Sequence, residues 1–152
     1  MSEYNQIKEK IAPCGLNCGK CFAFYNGDIK KHSIGLKESL GNFEIYAKRF
    51  SELLNEPLFN RYPDFYSLLS YFVSVKCMGC RNESCKLFSS CKVKECAITK
   101  GVDFCFQCNE FPCSETGFDE HLYNRYVEIN KKMKEKGIVD YYETIKDLPR
   151  YK

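Results

Sequence analysis

At 152 residues the chain has room for one domain, or for a small cysteine-rich unit fused to a small helical one, and 44% hydrophobic content is enough for a packed core. No run approaches the ~20 apolar residues of a membrane span, and no Gly-rich phosphate loop, Ser-His-Asp ordering or HExxH helix is present. Membrane-spanning, nucleotide-binding and conventional hydrolase readings therefore have no support, and a net charge of +3 argues only weakly for nucleic acid.

Met1 to Lys10 is polar and charged, without the apolar core of a signal peptide, so a cytoplasmic protein with reduced thiols is expected. The eleven cysteines fall in two blocks, Cys14 to Cys21 and Cys77 to Cys113. Between them Leu36, Leu40, Phe43, Ala47, Phe50 and Leu54 recur at steps of three and four, which predicts one helix stopped by Pro57. A second helix follows Pro63, with Phe65, Leu68, Leu69, Phe72 and Val75 on its apolar face, and delivers the chain to Cys77. Weak alternation over Val102 to Phe106 permits a short strand. Ser114 or Thr116 is placed to cap a helix carrying Phe118, Leu122, Tyr126, Ile129 and Met133, which Gly137 ends, and a terminal helix carries Ile138, Tyr141, Tyr142, Ile145 and Leu148. The expected fold is one domain over 1–152, mainly α, with a helical insert at about 35–76, C-terminal helices at about 117–148, small irregular α+β zinc-knuckle or ribbon-like modules, and little regular sheet.

The cysteines carry the chemistry. Zinc takes four soft ligands at about 2.3 Å in a tetrahedron, and two thiolates separated by two residues reach one ion because the backbone between them forms a tight knuckle. Three such pairs are present, Cys18 with Cys21, Cys77 with Cys80 and Cys105 with Cys108, and Gly79 supplies the small residue a knuckle turn favours. Cys14, Cys85, Cys91, Cys96 and Cys113 are the remaining donors. One grouping joins Cys77, Cys80, Cys91 and Cys96, with Cys105, Cys108 and Cys113 taking a fourth thiolate from Cys14, Cys18 or Cys21. Cys85 in place of Cys91, or His121 in place of a cysteine, stays open. About two zinc ions per chain are expected. A disulfide scaffold fits neither the odd count nor reduced thiols. The spacing Cys14-x3-Cys18-x2-Cys21 also suits an iron-sulfur cluster, although so short a chain cannot supply the barrel of a radical enzyme that holds its cluster this way.

The run Cys14-Gly15-Leu16-Asn17-Cys18-Gly19-Lys20-Cys21-Phe22-Ala23-Phe24, then Cys77-Met78-Gly79-Cys80-Arg81, then Cys91 to Gly101, then Cys105-Phe106-Gln107-Cys108-Asn109-Glu110-Phe111-Pro112-Cys113, resembles the cysteine-rich prokaryotic family known as domain of unknown function 3795. The resemblance spans about Ala12 to Cys113 and implies zinc binding through the cysteines, with no established activity. Where many members carry a Cys-x2-Cys pair in the middle segment, this chain has Phe88 three residues before Cys91 and adds Cys85.

His32 and His121, the only imidazoles, sit at no partner spacing that suggests acid-base work. Phe22, Phe24, Tyr25, Phe88, Phe104, Phe106 and Phe111 lie near cysteines, where they shield thiolates and fill gaps. Lys76 to Lys100 carries six basic and two acidic residues, Gly101 to His121 five acidic residues and no Lys or Arg. The expected function is a non-enzymatic, zinc-stabilised interaction module with a protein partner. An iron-sulfur or redox accessory protein is one alternative, and a nucleic-acid binder using Arg81, Lys86, Lys92 and Lys94 of the segment 76–100 is another.

Overall fold

Seven helices follow one another along the chain in a computed structural model that describes all residues, 1–152: α1 (Glu3–Lys10), α2 (Asp28–Leu40), α3 (Phe43–Leu53), α4 (Tyr62–Ser74), α5 (Val93–Lys100), α6 (Glu120–Lys136) and α7 (Ile138–Ile145). Single 3-10 turns occupy Cys18–Lys20, Pro57–Arg61 and Cys105–Gln107. The fold is mainly helical, as the sequence suggests, and no sheet forms; Ile11 and Asn17 make an isolated antiparallel bridge. No helix is long and apolar enough to cross a membrane. The chain divides into two compact units, Met1–Cys21 with Cys77–Lys152, and Phe22–Lys76. Every cysteine belongs to the first.

In the first unit Ser2 caps α1, accepting from the Asn5 amide at 3.3 Å, and the helix turns Ile7 inward. The core collects Ile7, Ile11, Phe104, Met133, Ile138 and Tyr141 from α1, α6, α7 and the loop before Cys105. Periodicity predicts α6 and α7 well. Leu122, Tyr126 and Met133 are buried, and Gly137, at φ 80°, takes the left-handed backbone that separates the two helices. The cap differs from expectation: neither Ser114 nor Thr116 starts α6, but Asp119, whose carboxylate accepts from the Leu122 amide at 2.8 Å. Buried Thr116 instead accepts from the Phe118 amide at 3.2 Å. The strand allowed over Val102 to Phe106 is absent, because Phe104 is drawn into the core and the chain turns directly into the 3-10 turn at Cys105.

Arg81, next to Cys80, is a strut of this unit. Its Nε donates to the carbonyls of Lys8 (2.8 Å) and Ile11 (3.3 Å) at the end of α1, its Nη2 donates to the Asp103 carbonyl (2.7 Å), and the guanidinium lies 4.9 Å from the Phe104 ring centre. Asp103 completes the junction through an ion pair with Lys8 and a 2.9 Å bond from the Tyr4 hydroxyl, and Lys8, then Tyr4, hold its carboxyl below the usual range. Arg81→Ala is expected to destabilise the protein by about 2–4 kcal/mol by stripping charged donors from partly buried carbonyls, measured as a lower urea midpoint at unchanged slope.

In the second unit the single helix expected to end at Pro57 is two helices. Gly41, at φ 50° and ψ −121°, breaks it, and α3 restarts at Phe43 with a new register. Leu36 and Leu54 therefore face solvent, Leu54 at 62% exposure, whereas Ala47 is buried as expected and Ser33, off the predicted face, is buried too. The predicted inner face of α4 holds in part: Leu69 is buried as expected, together with Tyr62, whereas Phe65 and Leu68 are exposed. The reason is aromatic packing. Phe43 lies 5.8, 6.2 and 5.0 Å from Phe50, Phe59 and Tyr62, and these rings take the place of an aliphatic seam.

Candidate metal centre

The first cysteine group is assembled from neighbours in the sequence. Cys96 lies on α5 between buried Val93 and buried Ala97. Cys105 opens the 3-10 turn, with its amide bonded to the Pro13 carbonyl at 2.9 Å, and the Cys108 amide returns to the Cys105 carbonyl at 3.0 Å, closing the knuckle. A further turn, Phe111 amide to Cys108 carbonyl at 3.1 Å, leads to Cys113 across a cis Phe111–Pro112 peptide. Cys96, Cys105, Cys108 and Cys113 all line one void of about 20 Å³, walled by Tyr126 and Lys100. Such a void has room for one ion or one water.

Burial pushes the Cys105 thiol up to about 12, partly offset by the Tyr126 hydroxyl beside it. The Tyr126 hydroxyl is itself fully buried, finds no well-formed hydrogen bond, and stands against the Cys105 and Cys113 sulfurs, with burial and then those sulfurs disfavouring its ionisation. An orphaned buried hydroxyl is costly unless a strong acceptor is supplied, and a metal-bound thiolate is one.

A second group gathers around Cys80. Gly79 adopts φ 90°, and its carbonyl accepts from the Asn82 and Glu83 amides at 3.0 and 3.1 Å, which folds the Cys77 to Cys85 segment into a tight turn. The Cys80 sulfur lies 3.9 Å from that of Cys18 and is also within hydrogen-bonding reach of Cys85. Hydrogen bonding to Cys18 and Cys85, then burial, pushes the Cys80 thiol up, whereas Cys18 and Cys85 are pulled down, first by their hydrogen bonds to Cys80 and then, in part, by the nearby Arg150 guanidinium. Arg150 donates to the Asn17 carbonyl at 3.2 Å, and the Tyr151 hydroxyl lies 3.7 Å from the Cys21 sulfur. Cys80, Cys85, Cys91 and Cys14 share the wall of a cavity of about 350 Å³ with Phe88 and Lys94. Cys14 is fully buried and its thiol is pushed up by that burial, as in a cysteine packed as a small apolar residue.

As the side chains stand, no three histidine, cysteine, aspartate or glutamate groups converge closely enough to hold an ion. The chemistry of the donor set nevertheless fits zinc: all are thiols, none is in a disulfide, and the Cys18–Cys21 and Cys105–Cys108 pairs each close a turn through a backbone hydrogen bond. The grouping departs from the expected one. Cys96 joins Cys105, Cys108 and Cys113, not Cys77, Cys80 and Cys91, and no N-terminal cysteine lines their void. Cys18 meets the middle segment instead, through Cys80, and Cys85 is brought into that group. His121 is exposed and lines neither cavity. Tyr126 and Arg150 are the neighbours that sequence reasoning missed, because no local spacing links either to a cysteine.

The family model described as "Protein of unknown function (DUF3795)" matches residues 10–117. No curated protein and no solved structure matches the chain. Because that match takes in both cysteine blocks and well over half of the sequence, the chain belongs to this family of proteins of unknown function.

Proposed function

We propose that this chain is a zinc-stabilised, non-enzymatic interaction protein in which Cys96, Cys105, Cys108 and Cys113 hold a structural ion. The observation that carries the reading is that these four cysteines line one common void of about 20 Å³, with room for one ion. Four thiolates fill the coordination sphere, so no position is left for water or substrate, and the ion's work is to close a segment with little core of its own. Tyr126 supplies a hydroxyl to a bound thiolate, and Lys100, paired with Glu110 at 2.7 Å, lies beside the Cys108 and Cys96 sulfurs and offsets part of their charge.

A protein partner is supported by the Phe22–Lys76 unit, which carries no cysteine and leaves Ile45, Leu53 and Leu58 between 64% and 72% exposed. The nucleic-acid reading loses its leading residue, because the guanidinium of Arg81 is spent on the carbonyls of Lys8, Ile11 and Asp103. Elemental analysis and visible absorption of protein purified without oxygen test the assignment. Zinc without visible absorbance is the expected result; stoichiometric iron with sulfide and a broad visible band would replace it with a redox reading.

A further inference from the structure

We infer that Cys18, Cys80, Cys85 and Cys91 form a second four-thiolate zinc site, separate from the Cys96 group, that ties the N-terminal cysteine block to the Cys77–Cys91 segment. The inference rests on the zinc reading above only for the identity of the metal. Its geometric basis is the 3.9 Å between the Cys18 and Cys80 sulfurs. Two thiolates on one tetrahedral zinc, each at 2.3 Å, stand about 3.8 Å apart. Disulfide sulfurs stand at about 2.05 Å, and thiolates on different irons of a cluster stand farther apart because an iron–iron edge separates them.

Cys80 is the hub, since it touches Cys85 as well as Cys18. Cys91 is the fourth member because it shares the cavity wall with Cys80 and Cys85 and lies within electrostatic reach of Cys85. Two nearby thiols are set aside on contacts of their own. Cys77, within electrostatic reach of Cys18, has its thiol engaged by the Glu83 carboxylate. Cys14 borders the cavity and lies within reach of Cys18 and Cys91, but it is also within reach of Cys105, and its carbonyl is pinned to α6 by Asn130 at 2.8 Å.

Charge supports the site as well. A divalent ion with four thiolates carries a net charge of about −2, and the Arg150 guanidinium faces both Cys18 and Cys85. Cys18 and Cys80 lie 62 positions apart, on either side of the Phe22–Lys76 segment in the sequence. An ion between them closes a long loop, which removes more chain entropy than the local closure from Cys96 to Cys113.

The test compares zinc per chain in the whole protein, Cys85→Ser and Cys108→Ser, after dialysis against a chelator that leaves the parent loaded. Alkylation of the parent, read by mass spectrometry before and after full metal removal, accompanies it. The expected result is two zinc ions in the parent and one in each variant, with Cys80, Cys85 and Cys91 alkylated only after metal removal and Cys77 alkylated throughout. Two ions retained in Cys85→Ser would overturn the site. So would a parent with one ion, lost in Cys108→Ser and kept in Cys85→Ser, although the Cys96 group would then stand. A parent without zinc overturns both readings. Should Cys85→Ser be insoluble, alkylation of the parent decides: Cys91 reactive and Cys77 protected in the loaded protein would overturn the ligand set.

Discussion

Cys108→Ser is expected to release the zinc ion that we propose it holds with Cys96, Cys105 and Cys113, and to unfold the segment from α5 to Cys113. A serine hydroxyl is a poor zinc ligand at neutral pH, so the substitution removes one of four soft donors from a closed site. Structural zinc in small peptides binds with an apparent free energy of about 10–16 kcal/mol, comparable with the roughly 5–15 kcal/mol net stability of a whole domain. The segment has little to fall back on. Cys105, Cys108 and Cys113 are only partly buried, and the turns joining them rest on two backbone hydrogen bonds of 3.0 and 3.1 Å. The expected readings are loss of zinc under the chelator and a melting temperature about 10 °C lower or more, since a loss of about 3–5 kcal/mol shifts a chain of this size by that much. Unchanged metal content and unchanged melting would remove the basis for the structural ion.

Asn130→Leu should be the most damaging change away from the cysteines. Asn130 is wholly buried on α6, and its amide donates to the carbonyls of Cys14 (2.8 Å) and Tyr126 (2.9 Å) while its oxygen accepts from the Phe106 amide (3.0 Å). One side chain thus fastens the N-terminal loop and the Cys105 knuckle to the same helix turn. Leucine preserves the volume but pairs none of these groups, and each buried group left without a partner costs about 1–3 kcal/mol. A loss of about 3–4 kcal/mol in urea unfolding is expected, against less than about 0.5 kcal/mol for the exposed neighbour Lys131→Ala. Equal effects from the two would show that the Asn130 bonds are replaced by water. Gly15 borders the same joint: at φ 92° a Cβ would lie 2.5 Å from Ile129 Cγ2, so only glycine lets the Cys14 loop approach α6 this closely.

Periodicity was a good guide where a helix has one neighbour and an aliphatic stripe, as in α6 and α7. In Phe22–Lys76 it held for Phe43, Ala47 and Phe50 of α3 and for Leu69 of α4, and missed elsewhere because aromatic rings, reaching farther than leucine, set which face turns inward and because Gly41 interrupts the helix between α2 and α3. Two helices, α1 and α5, went unpredicted. Each is eight residues long with few apolar positions, and each is held by its surroundings, α1 by α7 and Arg81, α5 by burial of Val93 and Ala97. The candidate site was half legible. A local run, Cys96-x8-Cys105-x2-Cys108-x4-Cys113, contains the first group entire, but Cys96 lies on an unpredicted helix and so was assigned with the residues before it.

By itself the sequence determined that the protein is mainly helical, that its cysteines are spaced for knuckle turns, and that two glycines, Gly79 and Gly137, stand where the backbone turns left-handed. These are local properties: residue spacing, side-chain shape and φ preference act within a few positions. Only the tertiary structure decided that Cys96 faces Cys105, Cys108 and Cys113, that Cys18 meets Cys80 across the Phe22–Lys76 segment, and that Tyr126, Arg150 and Asn130 stand beside them. Spacing sets how far a knuckle can reach, but which thiols meet depends on where packed helices deliver them, and that is settled by burial summed over the whole core.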